Sequence, residues 1–168
     1  KIDENNVYLY CHTYYPDVGW DIPRLLDEYG LASRVLFTYK CKNCGKISCD
    51  FFKDSINGCV GCGGLTNQLA GISNSVNTEE LSSIYNVFDV YVQYANSEGF
   101  GMPQLEAAYC GLPVIGIEPL DYSLECETGC KRAIPDNEKF VQELMKLYEN
   151  KENLRSIGME VCKNARKH

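Results

Sequence analysis

Short strand-like runs alternate with helix-like segments along this chain, and this alternation constrains its fold more than any other feature. Helix N-caps are indicated at Asp21 and at Asn77 or Thr78, each followed by leucines or isoleucines at helical spacing. Apolar runs of strand length lie at residues 34–39 and 112–117. Strands that are joined through helices pair in parallel, and the helices cover both faces of the sheet. The sequence therefore predicts an α/β fold with a doubly wound parallel sheet.

The rest of the chain extends this pattern, except residues 118–135, which favour no single element. In doubly wound sheets, ligands bind beyond the carboxyl ends of the strands, where loops run into helix N-termini. We therefore expect the functional residues in the loops that follow the strands. The other predicted elements are strands at residues 7–10 and 89–95 and helices at residues 103–110, 137–149 and 151–166.

Composition and charge exclude several classes of protein. Of the 168 residues, 45% are hydrophobic and 23% are charged, which is the balance of a globular domain and not of a disordered chain. No apolar run approaches the roughly 20 residues that a membrane-spanning helix needs. The net charge of −7 opposes binding to nucleic acid. Because the chain begins with Lys1 and not with Met, we expect it to be a fragment of a longer protein.

Cysteines are concentrated in one short segment. Five of the ten lie between Cys41 and Cys62, where two C-x2-C pairs are separated by 14 residues. This spacing is typical of paired zinc knuckles, and a glycine follows each pair, as a tight turn around a metal requires. We therefore expect Cys41, Cys44, Cys59 and Cys62 to hold a structural Zn²⁺, with two disulfides or free thiols as the alternatives. Cys49 is either a spare thiol or a substitute for one of the four.

A glycine-rich loop between two predicted strands carries the strongest functional pattern. Gly99 and Gly101 allow the backbone to approach a ligand, and Pro103 suits the first position of the helix that follows. The N–H groups at that helix start form a site for an anion such as phosphate. Glu98 precedes the loop, and Glu106 is expected in the first helical turn, with its carboxylate directed back to the same opening. The loop thus offers N–H donors to a phosphate and, beside them, two carboxylates that accept hydrogen bonds from hydroxyl groups. This combination suits a sugar nucleotide.

Each part of this pattern also has a purely structural interpretation. A Gly-x-Gly before a helix is often only a turn, and a first-turn glutamate is favoured by the helix dipole alone. The order of the parts favours function, because Glu98, Gly-x-Gly, Pro, Glu106 and a capping glycine all lie between two strands. His12, which follows the first strand together with Thr13 and Tyr14, faces the same edge and is either a ligand contact or an exposed loop residue.

The residues E-G-F-G-M-P-x-x-E-A, followed by C-G-L-P-V-I, resemble the E-x7-E motif of retaining GT-B glycosyltransferases, glycosyltransferase family 4 (glycosyl transferases group 1) in particular. This resemblance implies the Rossmann-like, donor-binding half of a GT-B enzyme. Such an enzyme transfers a glycosyl group from a nucleotide diphosphate sugar with retention of configuration and without a catalytic metal. By this resemblance Glu98 would contact the donor sugar hydroxyls, and Glu106 the ribose hydroxyls. The N–H groups around Gly99, Phe100, Gly101 and Met102 would face the sugar and the diphosphate, and Thr38 and Tyr39 would lie beside the base.

The resemblance also implies a domain organisation. Residues 1–168 would form the C-terminal nucleotide-sugar-binding domain, with a zinc-ribbon-like module inserted at residues 40–64. The N-terminal, acceptor-binding domain of the same protein would lie outside this chain. No Lys or Arg lies between Lys53 and Lys131, so the cations that stabilise a leaving diphosphate must come from elsewhere. We therefore expect this chain alone to transfer no sugar.

Two other functions stay open. One is another GT-B enzyme, such as a sugar-nucleotide epimerase. The other is a non-catalytic zinc-ribbon interaction module on a GT-B scaffold, against which intact Glu98 and Glu106 argue. Four thiolate ligands leave no open position on the metal, so the zinc is expected to be structural. The cysteine usage favours a reducing cytoplasm, with any membrane contact made through the missing domain, and no pattern marks the acceptor as sugar, lipid or protein.

Overall fold

A computed structural model describes residues 6–16, 19–95, 101–116, 119–125 and 131–167 of the chain. The chain divides into two compact units, Lys1–Glu80 and Leu81–His168. Each unit contains a pair of parallel strands and at least one helix, so the fold is α/β, as predicted. Within these described ranges no helix is long and apolar enough to cross a membrane.

The first unit is built on strand β2 (Val35–Cys41), which pairs with three other strands. Strand β1 (Leu9–Cys11) runs parallel to the first half of β2, as predicted. Strands β3 (Ile47–Phe51) and β4 (Asn67–Leu69) are both antiparallel to β2. This differs from the wholly parallel sheet that the sequence predicts, because the chain turns back after β2 and pairs with the strand it has just left. The cysteine segment therefore continues the sheet of the first unit.

Helix α1 (Ile22–Glu28) supplies the core of the first unit together with one face of β2. It begins after the N-cap Asp21, as predicted. Alternate residues of a strand point to the same face, which explains why every second residue of β2 is buried here. The buried cluster consists of Leu26 from the helix and Val35, Phe37 and Tyr39 from the strand.

An ion pair connects β2 to the start of the next helix. The Lys40 ammonium donates to the Glu80 carboxylate at 2.8 Å and to the Ser75 carbonyl oxygen at 2.9 Å. The Glu80 carboxylate also accepts the backbone N–H of Asn77, whose side chain accepts that of Glu80. The two charged side chains are 16% and 23% exposed. These bonds confirm the predicted cap at Asn77, and they lower the pKa of Glu80, chiefly through Lys40.

We expect Glu80→Gln to destabilise the protein at neutral pH and to have a steadily smaller effect in acid. The folded state favours the Glu80 carboxylate, so its stabilisation is present above the usual pKa of 4.5 and is lost as the pH falls through the lower, folded value. A pair of this kind contributes about 1 kcal/mol. Urea denaturation of the wild type and of Glu80→Gln, from neutral pH to below the usual pKa of 4.5, measures the difference in their free energies of unfolding. A difference that is independent of pH would contradict the expectation.

The second unit contains a strand, a helix and a parallel strand in succession. Strands β5 (Tyr91–Gln93) and β6 (Val114–Gly116) are parallel, and helix α3 (Met102–Tyr109) lies between them in the chain. Helix α2 (Thr78–Tyr85) leads towards β5. This is the βαβ arrangement that the alternation of elements predicts. Its buried cluster consists of Tyr85, Ala107 and Leu112.

Two helices, α4 (Asn137–Glu149) and α5 (Leu154–Ala165), come last in the chain, as predicted. A 3-10 turn at Lys151–Asn153 separates them, so α5 begins later than expected. Helix α5 packs on the end of α3, where a β-carbon on Gly158 would collide with the backbone of Gly111. Helix α3, which starts at the glycine-rich loop, is therefore held at its C-terminal end by α5.

An antiparallel pair occupies the segment for which the sequence favours no element. Strand β7 (Pro119–Glu125) pairs with β8 (Lys131–Pro135) in a register with two irregularities. Such irregularities disturb the strict alternation that marks a strand in a sequence. The described residues thus form three sheets, one of four strands and two of two strands, where the sequence predicts one parallel sheet.

Candidate functional site

The glycine-rich loop leads into α3, and the structure describes this loop from Gly101 onward. Glu98, Gly99 and Phe100 lie outside the described residues, so the roles expected for them stay predictions. Gly101 is the N-cap of α3 and has a φ of 73°, the left-handed region that strains any residue with a β-carbon. A β-carbon at Gly101 would also collide with the Gln104 side chain. The backbone itself therefore requires a glycine at this position.

The start of α3 has the properties of an anion site. Gly101 has no side chain with which to cap the helix, and Pro103 has no N–H. The N–H groups of Gln104 and Leu105 donate to the Gly101 carbonyl oxygen at 3.2 and 3.4 Å, so the Met102 N–H is the one that the first turn offers to a ligand. Met102 is the first helical residue and is 55% exposed, and Pro103 follows it, one position later in the helix than predicted. The helix dipole adds a partial positive charge at this end. Phosphate or another anion would therefore be stabilised here.

Glu106 lies further into the helix than expected. Helix α3 begins at Met102, which places Glu106 in the second turn and leaves no acidic residue in the first. The prediction of a first-turn glutamate is wrong because the helix starts directly after Gly101, one residue earlier than the sequence indicates. The helix dipole acts mainly within the first turn. The dipole alone therefore does not explain a glutamate at this position.

The Glu106 carboxylate has a partner that the sequence did not indicate. The Tyr85 hydroxyl, at the end of α2, donates to Glu106 Oε2 at 2.9 Å and lies 3.3 Å from the Pro103 carbonyl oxygen. Burial first, and then the adjacent Glu106 carboxylate, raise the pKa of Tyr85, so the hydroxyl keeps its proton and acts as a donor. A carboxylate has two oxygens with about four lone-pair sites. The contact therefore orients the Glu106 carboxylate, whose remaining lone pairs can accept hydrogen bonds from a ligand.

Thr38 and Tyr39, which were expected beside a base, are buried in the first unit. The Thr38 side chain is 0% exposed, and its hydroxyl hydrogen-bonds with the Tyr10 hydroxyl and with His12 Nδ1, both at 2.9 Å. The Tyr39 hydroxyl donates to the Phe51 carbonyl oxygen at 3.2 Å. The Thr38 side chain has no opening to solvent, whereas Tyr39 lines a cavity of this unit. The expected contact of these two residues with the base stays a prediction. His12, which bonds with Thr38, is exposed.

The four predicted metal ligands come together in one cluster in the first unit. The sulfur atoms of Cys41, Cys44, Cys59 and Cys62 all lie within 4.8 Å of one another. The Cys41 and Cys62 sulfurs are 3.7 Å apart, and the Cys44 and Cys59 sulfurs are 3.6 Å apart. Tetrahedral zinc with Zn–S bonds of about 2.3 Å places its sulfurs about 3.8 Å apart, whereas a disulfide needs about 2.05 Å. The donor set therefore fits zinc, and the sulfurs are too far apart for disulfides.

Hydrogen-bond donors are directed at these sulfurs. The backbone N–H of Cys44 lies 3.5 Å from Cys41 Sγ, and that of Gly61 lies 3.2 Å from Cys59 Sγ. The Thr66 hydroxyl is 3.0 Å from Cys41 Sγ. These donors favour the thiolate and lower the pKa of Cys41, with Thr66 as the largest cause. At Cys44 the Lys46 backbone N–H acts in the same direction, but the neighbouring sulfurs, Cys59 first, raise the pKa to about 11. Because the thiolate is the form that binds a metal, the hydrogen-bond donors favour metal binding at Cys41.

Cys49 lies outside this cluster. It is exposed on β3, where its register partner in β2 is Thr38. Of the two possibilities for Cys49, the structure favours the spare thiol.

The glycines that follow the two C-x2-C pairs, Gly45 and Gly63, have φ values of 73° and 71°. These are the left-handed turns that wrapping around a metal requires.

Comparison with known proteins assigns part of the chain. The family model described as "Glycosyl transferases group 1" matches residues 70–167, a range that contains Glu106 and excludes the cysteine cluster. A UDP-N-acetylglucosamine–peptide N-acetylglucosaminyltransferase GtfA subunit from Streptococcus pneumoniae is 49% identical over 39 residues, which cover 23% of this chain and 8% of that protein. The subunit of the same name from Streptococcus agalactiae is 33% identical over 85 residues, 44% of this chain and 17% of that protein. The matches therefore span a small part of either relative, and no solved structure matches.

Proposed function

This chain belongs to the glycosyl transferases group 1 family, and we propose that it forms the nucleotide-sugar-binding half of a retaining GT-B glycosyltransferase. The observation that carries this proposal is the position of Glu106. Glu106 lies on α3, which begins directly after the left-handed Gly101, and the Tyr85 hydroxyl orients its carboxylate. Both Glu106 and Tyr85 lie inside the range that the family model matches. Helix α3 thus offers its N-terminal end to a phosphate and the oriented Glu106 carboxylate to hydroxyl groups. This combination suits a nucleotide sugar.

In this proposal the diphosphate lies at the start of α3. Backbone N–H groups from Gly99 to Met102 donate to the diphosphate and the sugar, and the helix dipole stabilises the charge that develops on the leaving phosphate. Glu106 accepts hydrogen bonds from the ribose hydroxyls. Glu98 orients the donor sugar near the reacting carbon and forms no covalent bond with it. The family resemblance implies that no catalytic metal takes part.

Calorimetric titration of the full-length protein with a panel of nucleotide sugars tests the proposal. UDP-N-acetylglucosamine is the first choice, because both relatives are named for transfer of N-acetylglucosamine from that donor. We expect one nucleotide sugar to bind and Glu106→Ala to weaken its binding by about 1.5 to 3 kcal/mol, the usual range for a lost hydrogen bond to a charged group. If no member of the panel binds, the proposal is wrong.

The products distinguish the two alternative functions. A retaining transferase gives a glycosylated acceptor with the anomeric configuration of the donor, which NMR of the product shows directly. An epimerase would convert one nucleotide sugar into another with no acceptor present. A non-catalytic scaffold would turn over no donor and acceptor pair, although it could still bind a donor.

We expect the 168-residue chain, assayed without the rest of the protein, to transfer no sugar. The acidic stretch around Glu106 contains no Lys or Arg from residue 54 to residue 130, so the positive charge that a leaving diphosphate needs must come from another part of the protein. We also propose that the acceptor-binding domain lies outside this chain. A transfer assay that compares the chain with the full-length protein measures this directly, and turnover by the isolated chain would contradict it.

We further propose that the cysteine cluster holds a structural Zn²⁺. The sulfur separations of 3.6 and 3.7 Å and the donors to Cys41 and Cys59 support this ligand set. Four thiolates leave no open position, so the ion would stabilise the fold and take no part in transfer. It would connect the end of β2, at Cys41, to the turn that precedes β4. Thiolate ligands persist in a reducing compartment, which supports a cytoplasmic location.

A further inference from the structure

Helix α3 has few hydrogen-bond donors at the end where the diphosphate is proposed to lie. Pro103 has no N–H, and the next two N–H groups of the helix donate to the Gly101 carbonyl oxygen, which leaves the N–H of Met102. Residues 54–130 contain no Lys or Arg. A diphosphate is strongly anionic, and its oxygens need more donors than one N–H group can supply. An uncharged side chain that donates at this end of α3 would therefore contribute directly to binding.

Gln104 is the one side chain of this first turn that can donate a hydrogen bond. Its neighbours in the turn, Met102, Pro103 and Leu105, have no donor in their side chains. A glutamine amide has two N–H donors. Gln104 is partly buried, and its amide has no hydrogen-bond partner among the residues that the structure describes. Both donors of this amide are therefore available to a ligand.

The Gln104 side chain folds back over the start of the helix. A β-carbon at Gly101 would collide with this side chain, first of all with its amide nitrogen. The amide thus occupies the space in which the side chain of an N-cap residue lies when it caps a helix. The glycine at position 101 therefore leaves room for the Gln104 amide at the same end of α3 as the Met102 N–H.

A capping role for Gln104 would be purely structural. A glutamine at the third helical position can form a capping box, in which its side-chain oxygen accepts the backbone N–H of the N-cap residue. Gln104 and the N-cap Gly101 are both described, and the structure records no such bond between them. The nitrogen of the amide, which donates and cannot accept, is the atom closest to the β position of Gly101. The geometry therefore favours donation to a ligand over capping.

We propose that the Gln104 amide donates hydrogen bonds to the diphosphate of the nucleotide sugar. This inference rests on the proposed function and adds to it a residue that recognises the charged part of the donor. Gln104 and Glu106 are two positions apart, so their side chains leave α3 in different directions. The amide at the helix start binds phosphate oxygens, and the Glu106 carboxylate accepts from the ribose hydroxyls.

Nucleotide binding to two Gln104 variants of the full-length protein tests this inference. The probes are ADP, CDP, GDP, TDP and UDP, measured by calorimetry, and the nucleoside of the diphosphate that binds most tightly, measured by saturation-transfer NMR. Gln104→Leu removes the amide at nearly constant size, and Gln104→Glu replaces it with a carboxylate that repels phosphate. We expect the Kd of the diphosphate to rise about tenfold in Gln104→Leu and further in Gln104→Glu. The Kd of the nucleoside should stay at its wild-type value.

The glutamate variant also separates ligand binding from the stability of the helix. A glutamate in the first turn is favoured by the helix dipole and can form the capping box, so Gln104→Glu should keep or raise the wild-type Tm. A loss of diphosphate binding without a loss of Tm is therefore an effect on the site. Gln142→Leu and Gln142→Glu make the same changes at an exposed position of α4 and should bind like the wild type.

Three results would overturn this inference: wild-type affinity of both Gln104 variants for the diphosphate, an equal loss for the nucleoside, or an equal loss in the Gln142 variants. In each of these cases the wild type still binds the diphosphate, so the proposed function stands and this inference alone is wrong. If the wild type binds neither a nucleoside diphosphate nor a nucleotide sugar, the proposed function fails and this inference fails with it.

Discussion

Replacing Glu106 with Gln in the full-length protein should lower the rate of sugar transfer by about 10- to 100-fold and leave the fold intact. Glutamine has nearly the same size as glutamate, and its side-chain oxygen can still accept from the Tyr85 hydroxyl, which lies 2.9 Å from Glu106 Oε2. The change removes the negative charge that strengthens hydrogen bonds from the ribose hydroxyls. A steady-state assay with the best nucleotide sugar should show the loss in kcat/KM.

A matched control separates the charge of Glu106 from a general effect on the protein. Glu160→Gln makes the same change at an exposed position of α5 and should leave both the rate and the melting temperature unchanged. A wild-type rate for Glu106→Gln, or a rate that falls only as far as the amount of folded protein, would contradict the assignment. The same substitution at Glu98 tests the glutamate that lies outside the described residues.

Tyr85→Phe tests the contact that orients the carboxylate. The variant keeps the ring in the buried cluster with Ala107 and Leu112 and removes only the hydroxyl. We expect a loss of about 1 kcal/mol, or roughly fivefold, seen mainly as a higher KM for the nucleotide sugar. Tyr85 is a positioning residue in this account, so its effect should be smaller than that of Glu106→Gln.

Replacing Cys44 with Ser should destabilise the protein far more than replacing Cys49 with Ser. Both thiols are exposed, so burial cannot account for a difference between the two variants. Cys44 belongs to the four-sulfur cluster, and Cys49 does not. Losing one of four zinc ligands should cost at least about 3 kcal/mol and should therefore lower the Tm by several degrees.

Thermal denaturation together with metal analysis of the purified full-length protein measures this effect. The wild type and Cys49→Ser should contain one zinc per chain, and a strong chelator should lower their Tm to that of Cys44→Ser. The chelator should have little further effect on Cys44→Ser itself. Equal stability of the two variants, or wild-type protein without stoichiometric zinc, would show that the cluster is a set of free thiols.

Local sequence signals predicted the helices well. Asp21 caps α1 by accepting the N–H of Arg24, and α4 spans Asn137–Glu149 with the predicted bounds. The cap at Asn77 was likewise marked in the sequence. Caps and helical spacing act between residues that are three or four positions apart. The sequence alone therefore contains most of the information that defines these helices.

Strand pairing was predicted less well, because the partner of a strand is not marked in the strand's own residues. The sequence indicated β1 and β2, but the antiparallel partners β3 and β4 of β2 come from within and after the cysteine segment. The pair β7 and β8 was missed for lack of strict alternation. A strand is stabilised by the partner it finds, and that partner is not contained in its own residues.

By itself, the sequence determined the family motif around Glu106 and the set of four cysteines, because both are defined by residue type and spacing along the chain. Only the tertiary structure decided which polar groups meet. It pairs Glu106 with Tyr85, buries Thr38 against Tyr10 and His12, and brings Thr66 to Cys41. The physical reason is that a buried polar side chain must find a hydrogen-bond partner among its neighbours in space, and long-range packing chooses those neighbours.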